Sequence, residues 1–546
     1  MIIRRVVLAL ILVCSMPAGH AAYTWVDVSR IVAIGDVHGA YSELVKLLRA
    51  TRLVDADLNW VGGDTHLVSL GDLLDRGPDS RNSMDLLMRL QHQARDAGGR
   101  VHVLLGNHEL MNLTHDQRDV SVAEHASLEN IGGHARAFAA DGPYGRWLLT
   151  LPVIIRINDT LFTHGGLSSL VSAANLASIN EEANYALNTI LSTGKQLRAQ
   201  GVIGPETPLL DANNPASTNA LGQAFTEARD SIWLGKNGPL WYRGTANCHA
   251  ILESPVLTRA LNTLDASRVV IGHTPTSTKE INSRLSRRVY AIDTGMLKSV
   301  YKGHSRALEI TSEQIQAISP PGQTVPIIHL PRPDPLTQLA RGEYALGERF
   351  QGQTQLSFTS ETPAISSDNA ALTGYFRKLS KRNRHRALAA FRLDRLLGLN
   401  FVPATVERSI NNQQGIVVAW PNQPFTERLR QQSSVNRPNW CTDYSDYVLL
   451  RVFDALIGKT DRSADNLFYE QGSMDIRITE NYKAFGTTKT IPETSLKNIL
   501  PQALIPALEK LTMDNLKPLL QDLLKPKEIE ALIERRNEIL GWSVSP

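Results

Sequence analysis

Five short polar blocks each stand directly behind an apolar, largely β-branched run, and this pairing restricts the fold more than any other feature of the chain. The blocks are Gly35-Asp36-Val37-His38-Gly39, Gly71-Asp72-Leu73-Leu74-Asp75-Arg76-Gly77, Gly106-Asn107-His108-Glu109, Thr163-His164-Gly165 and Gly272-His273-Thr274-Pro275. Ahead of them lie Ile31 to Ile34, Leu67 to Leu70, Val101 to Leu105, Thr160 to Phe162 and Val269 to Ile271. Such runs are expected as buried strands. Each block then leaves the C-terminal end of a strand, the edge of an α/β sheet where sites are built. Five strands aim Asp, His and Asn side chains at one place.

The residue types point to a chemistry. Hard divalent cations take carboxylate and amide oxygens, and imidazole suits Mn, Fe or Zn. Two such ions roughly 3.5–4 Å apart clamp a phosphate between them. An arginine in the second block, Arg76, offers the planar fork that grips phosphate oxygens. Glycines let the backbone turn sharply and approach ions closely. A lone Gly-Asp or Gly-Asn step is ordinary turn chemistry. An ordered set of five is not.

The blocks resemble those of the phosphoprotein phosphatase family, and more narrowly its Shewanella-like branch. The runs Gly106-Asn107-His108-Glu109-Leu110-Met111-Asn112-Leu113 and Pro239-Leu240-Trp241-Tyr242-Arg243-Gly244 are close to that branch's forms. The resemblance extends over roughly residues 30–315. It implies an αββα metallophosphoesterase sandwich, two sheets flanked by helices, occupying residues 23–318. It also implies that Asp36 and His38 bind a first metal, that Asp72 bridges to a second, and that Asn107, His164 and His273 complete the second metal's ligands. His108 becomes the general acid, held by Asp75. Arg76, Arg243 and Asn107 hold the phosphate. The implied cofactors are two divalent ions (Mn, Fe or Zn), with in-line attack by a metal-bridging hydroxide. A phosphorylated protein is the substrate this branch favours; a small phosphoester or a dinucleoside polyphosphate is the alternative. A reading from another class is an exported binding or scaffold protein with an unused metal site, against which the intact blocks argue. Arg243 has a bland reading too, stacking on neighbouring Trp241. His66, His92, His102, His115, His134 and His249 match no motif.

At 546 residues the chain exceeds one typical domain, and 42% hydrophobic content suffices for packed cores. A formal charge of +3 makes no case for nucleic-acid binding. Arg4-Arg5, the apolar run Val6 to Val13, Pro17 and the small residues to Ala22 have the form of a signal peptide over residues 1–22, so the protein is expected to be exported, periplasmic or secreted. No later segment is expected to span a membrane, and oligomeric state is not legible. Cys248 and Cys441, left after the leader, either pair or stay as buried thiols. A helical insertion is expected at about residues 168–236, either capping the cleft or elaborating a distant edge.

Ser319-Pro320-Pro321-Gly322 and Pro331-Arg332-Pro333-Asp334-Pro335 mark residues 319–335 as a Pro-rich linker. Residues 336–546 then form a separate α+β domain. Its text at Phe453 to Tyr469 and Ile478 to Phe485 resembles the HipA and phosphatidylinositol-kinase-like atypical kinases. By that resemblance Asp461 is the catalytic Asp, Asn466 a metal-binding Asn, and Glu480 stands where a metal-binding Asp is expected. Arg377 or Lys378 occupies the zone of the nucleotide Lys, and Ala387 the place of that Lys's acidic partner. These departures make a degenerate, pseudokinase-like domain the expectation.

Overall fold

The structure, a computed structural model, describes residues 23–211, 219–350, 353–358, 372–420, 425–436, 446–470, 474–491 and 500–542. The leader-like residues 1–22 and Cys441 lie outside the described residues. Thirteen strands build the N-terminal part: β1 (Thr24–Trp25), β2 (Arg30–Ile34), β3 (His66–Ser69), β4 (Arg100–Val103), β5 (Ile154–Ile157), β6 (Thr160–Thr163), β7 (Arg268–Ile271), β8 (Asn282–Arg284), β9 (Val289–Ala291), β10 (Ala307–Thr311), β11 (Ile315–Ser319), β12 (Gln323–Val325) and β13 (Ile328–His329). They form a seven-stranded sheet, β1-β5-β6-β7-β9-β8-β13, and a six-stranded sheet, β12-β11-β10-β2-β3-β4. The five expected strands are β2, β3, β4, β6 and β7. The first three are parallel neighbours in one sheet and the last two are parallel neighbours in the other.

Alternation along these strands shows why the runs are continuously apolar. Ile31, Ala33, Val68, Leu70, Phe162 and Val270 face the layer between the sheets. Val32, Ile34, Leu67, Leu161, Val269 and Ile271 face outward into a second core shared with helices. Strands buried on both faces have no polar side to show. Helices Tyr41–Ala50 and Ser80–Asp96 cover one sheet through Leu44, Leu47, Met84 and Leu87; helix Ala250–Thr263 covers the other through Leu257 and Leu261.

The insertion is helical, with Leu176–Ala199 and Ala220–Arg229. Its longer helix is built into the flank of the seven-stranded sheet. Ile179, Leu187 and Ile190 are fully or almost fully buried, and the Asn180 amide accepts from Val153 N (2.8 Å) and donates to Ile154 O (2.8 Å). Within residues 319–335 lie β12 and β13, which add one edge strand to each sheet, so this stretch is stitched to the sandwich rather than hanging from it. The prolines of this stretch all stand outside β12 and β13, so none removes a ladder hydrogen bond.

Residues 336–542 have their own apolar core, from Leu339 and Phe376 to Ile539 and Trp542. A five-stranded antiparallel sheet, in the order β14-β15-β16-β18-β17, is made of β14 (Tyr344–Phe350), β15 (Gln353–Phe358), β16 (Thr373–Lys378), β17 (Thr405–Ile410) and β18 (Gln413–Trp420). Helix Lys381–Leu397 and a three-stranded sheet of β19 (Phe425–Thr426), β20 (Leu467–Tyr469) and β21 (Ile476–Ile478) accompany it. No helix among the described residues is long and apolar enough to cross a membrane.

The two parts touch through the start of helix Ala250–Thr263. Ile251 and Leu252 pack on the C-terminal core, and His249 donates its Nε2–H to Leu399 O (2.7 Å). Arg284 is half-buried there; the charges of Glu253, Asp475 and Asp446 act on it, and it donates to Cys248 O. Cys248 is a disulfide cysteine and not a free thiol. Ending the chain at residue 335 is therefore expected to bare Ile251 and Leu252 and to lower the Tm by roughly 5 °C or to cause aggregation. Thermal unfolding of residues 23–335 beside the full chain checks this.

Candidate active site

The two sheets bring all five blocks to one spot. Asp72 belongs to two groups of potential metal ligands, one with His38 and His108 and one with His164 and His273, with the ligand atoms of each group within 4.8 Å of one another. His38 donates Nδ1–H to Leu74 O (2.8 Å) and His164 donates Nδ1–H to Leu70 O (2.9 Å), since a carbonyl only accepts. Both rings therefore turn the Nε2 lone pair inward, as metal-binding histidines do. His38 Nε2 lies 3.7 Å from Asp72 Oδ2 and 3.9 Å from Asp36 Oδ2. His164 Nε2 lies 3.2 Å from Asp72 Oδ1 and 2.9 Å from Asn107 Oδ1.

Lone pairs gathered this tightly suit a cation between them. The buried Nε2 of His273 has no hydrogen-bond partner. Asp36 is buried beside Asp293 and Asp72, and burial, then those two charges, raises its carboxyl well above the usual range. Burial likewise pushes Asp293 up to about 6. The donor set, mixed carboxylate, amide and imidazole, suits divalent transition ions.

Backbone strain is concentrated here. His38, Asp72, Asp75, Arg76 and His273 have φ of +48°, +51°, +69°, +66° and +63°. Each such non-glycine residue costs about 1–2 kcal/mol and persists only where its surroundings enforce it. The enforcement is visible. Val37 N and His38 N both donate to Asp72 O at 2.9 Å, and the Glu109 carboxylate accepts from Asp72 N, Leu73 N and Gly106 N, each at 2.8 Å. Two glycines are needed because carboxylates sit against them: a Cβ at Gly106 would lie 2.3 Å from Asp72 Oδ1, and one at Gly272 would lie 2.5 Å from Asp36 Oδ1.

The calcineurin-like phosphoesterase family model matches residues 29–277. An uncharacterized protein of Schizosaccharomyces pombe is 31% identical over 295 residues, which are 53% of this chain and 79% of that one. The chain belongs to the calcineurin-like phosphoesterase family. The phosphoesterase is also 27% identical over 294 residues to Shewanella-like protein phosphatase 1 of Plasmodium berghei, covering 53% of this chain and 74% of that one. It is similar to the crystal structure of a cold-active protein-tyrosine phosphatase of a psychrophilic Shewanella species, at 28% identity and a TM-score of 0.45, covering 55% of this chain and 81% of that one. The family match and the relation to that Plasmodium berghei phosphatase make the protein a phosphoester hydrolase.

Around the ligand cluster of the phosphoesterase lie the remaining expected residues. His108 Nδ1 meets Asp75 Oδ2 at 2.5 Å. Burial alone would lower the His108 pKa, but Asp72 and then Asp75 outweigh it and hold the pKa above its ordinary value. Arg76 Nη1 reaches His38 Nε2 (2.8 Å) and the Tyr301 hydroxyl, while Nη2 meets Asp119 Oδ2 at 3.3 Å. Arg243 donates Nη1–H to His273 O (2.7 Å) and Thr274 Oγ1 (3.1 Å), which ties it to a ligand loop and not to the face of Trp241.

Several residues of the phosphoesterase site were not predicted. Glu109 and Asn112 stood inside a quoted run without a role. Asp293, behind β9 and before Thr294-Gly295, repeats the strand-then-Asp pattern and was legible. Asp119, Glu124, His134 and Tyr301 carry no pattern that could have found them. In the C-terminal part, Glu480 (φ +60°) pairs with Arg377 Nη1 at 2.6 Å, so Arg377 rather than Lys378 reaches this cleft. Asn466 lies beside the Glu480 carboxylate and helps to hold its pKa down, whereas Asp461 is engaged by Lys459 and by Lys483 (3.2 Å). Among the described residues, no group of three His, Cys, Asp or Glu able to hold a metal forms there.

Because the next atoms around a Cβ at Gly272 are 3.5 Å away, Gly272→Ala displaces the Asp36 carboxylate alone. It is expected to keep the circular dichroism spectrum and to lower bound metal per chain, measured by elemental analysis.

Proposed function

We propose that this phosphoesterase is a dinuclear-metal-dependent phosphomonoesterase acting on phosphorylated protein, at serine, threonine or tyrosine. The observation that carries the reading is Asp72, one carboxylate common to two ligand groups. Asp36, His38 and Asp72 would hold one ion, and Asp72, Asn107, His164 and His273 the other. Bound there, divalent ions supply Lewis acidity to the phosphoryl group and lower the pKa of the attacking water.

The chain's own residues do the rest. Arg76 and Arg243 take the equatorial phosphoryl oxygens, where charge develops in transfer. Asp75 keeps the proton on His108 Nδ1's side and leaves Nε2 facing the site, so the imidazolium can deliver a proton to the leaving oxygen. Asp75 and Asp72 both favour that charged form. The phosphoprotein class is supported by the Shewanella-like protein phosphatases of Plasmodium berghei and Arabidopsis thaliana, which the chain resembles at 27% and 26% identity.

For residues 336–546 we propose a kinase-like module without catalysis, serving recognition. Arg377 is neutralised by Glu480 in a contact from across the cleft, Ala387 offers no acid, and Asp461 is held by two lysines. The leader-like residues at the N-terminus support a place outside the cytoplasm.

Hydrolysis of a phosphopeptide, p-nitrophenyl phosphate and diadenosine tetraphosphate, each with Mn²⁺, Zn²⁺ or chelator, tests the reading. Metal-dependent preference for the phosphopeptide is expected; preference for the tetraphosphate would move the enzyme to nucleotide chemistry. Asp72→Asn is expected to cut kcat by about 10³-fold or more and to reduce bound metal. Near-normal turnover would sink the site assignment.

A further inference from the structure

Behind the His108–Asp75 pair runs a buried hydrogen-bond chain that ends on an element with no ligand of its own. Asn112 donates from Nδ2 to Asp75 Oδ1 (2.9 Å) and to His108 O (2.9 Å). Its Oδ1 meets His134 Nε2 at 2.6 Å. Asp75, Asn112, His108 and His134 are 0%, 1%, 2% and 6% exposed, so water is no substitute partner.

The directions of these bonds are forced. Asp75 as a carboxylate only accepts, so the Asn112 amide must turn its NH₂ towards it and its oxygen away. That oxygen only accepts, so His134 Nε2 must carry a hydrogen. The other ring nitrogen, Nδ1, is buried without a partner. Burial and next His125 hold the imidazole down at about 3, which leaves it neutral with a single N–H. The ring is kept in place between Phe138 at 4.7 Å and His125 at 5.5 Å.

We propose that His134 is a positioning residue for the phosphoesterase reaction: through Asn112 it fixes the carboxylate plane of Asp75, and through Asp75 the aim of His108. Both N–H groups and the oxygen of Asn112 are committed, and both oxygens of Asp75 are bonded. Without the donor at residue 134, the Asn112 oxygen is buried unsatisfied, and turning the amide to relieve it sets an oxygen against Asp75. His108 then loses its support while the metal ligands keep theirs. The proposal rests on His108 being the general acid.

The test uses the full chain loaded with Mn²⁺ and two substrates, phenyl phosphate, whose leaving group needs a proton, and p-nitrophenyl phosphate, whose leaving group barely does. His134→Phe is expected to lower kcat on phenyl phosphate roughly tenfold more than on p-nitrophenyl phosphate, with KM unchanged on both. His134→Gln, whose amide can donate to Asn112 Oδ1, is expected to recover most of that difference. His108→Asn is run beside them. If His108→Asn is selective for the poor leaving group and His134→Phe lowers both substrates equally or neither, the positioning role is overturned and the acid role stands. If His108→Asn shows no selectivity, the acid role falls and this proposal with it. Should His134→Phe not fold, Asn112→Ala must show the same selectivity, and its absence overturns the proposal.

Discussion

The bond set of Glu109 is the constraint on which the site depends. This fully buried carboxylate accepts from three backbone N–H groups in two loops, those after β3 and β4. It fixes the left-handed backbone of Asp72, and Asp72 in turn accepts at its backbone oxygen from the loop after β2 and at its side chain from His108 N (3.0 Å). Three of the five loops are therefore locked to one another before any ion is considered. Charge-assisted bonds of this kind are worth roughly 1.5–3 kcal/mol each. That is the scale needed to hold several strained residues in one place. The repulsion among Asp36, Asp72 and Asp293 works the other way, and it shows in the raised carboxyls of Asp36 and Asp293.

How much of this was legible follows from where each residue sits on the chain. Asp36, Asp72, Asn107, His164 and His273 each come within a few residues of a strand end, and the strands announce themselves because both faces are buried. Local text and three-dimensional position coincide there. Arg76 and Asp75 ride on the same loop as Asp72 and share that advantage. Glu124 and His134 reach the site from helices Val122–Leu128 and Gly133–Ala137, whose sequences are ordinary and whose burial is decided by packing. Tyr301 comes from a four-residue helix beyond β9 and meets Arg76 only through the tertiary fold. The insertion was readable as helix, but not as a wall of the core, because that depends on Asn180 meeting β5.

The C-terminal part teaches a different lesson. Its strand Gln413–Trp420 and its helix Lys381–Leu397 follow from propensity, the one carrying the β-branched run Ile416 to Val418 and the other a Leu- and Ala-rich text. The cleft chemistry does not follow from spacing alone. Arg377 and Glu480 are far apart in sequence and come together from β16 and the end of β21, and the pairing leaves neither group free. Lysines at 459 and 483 do the same to Asp461. A motif can place a residue in a cleft without leaving it available.

The stretch from Arg243 through Cys248 and His249 to Leu252 serves both parts of the molecule. Its first residue leans on the His273 loop, and its last ones pack against the apolar core of the other part. Modular proteins usually change partners at linkers, where either half can be replaced without the other noticing. Here the joint lies deep inside the catalytic half's own sequence. Any replacement for the C-terminal part would have to bring a carbonyl for His249 and a hollow for Ile251 and Leu252. A change at His249, Ile251 or Leu252 is therefore felt in both parts at once.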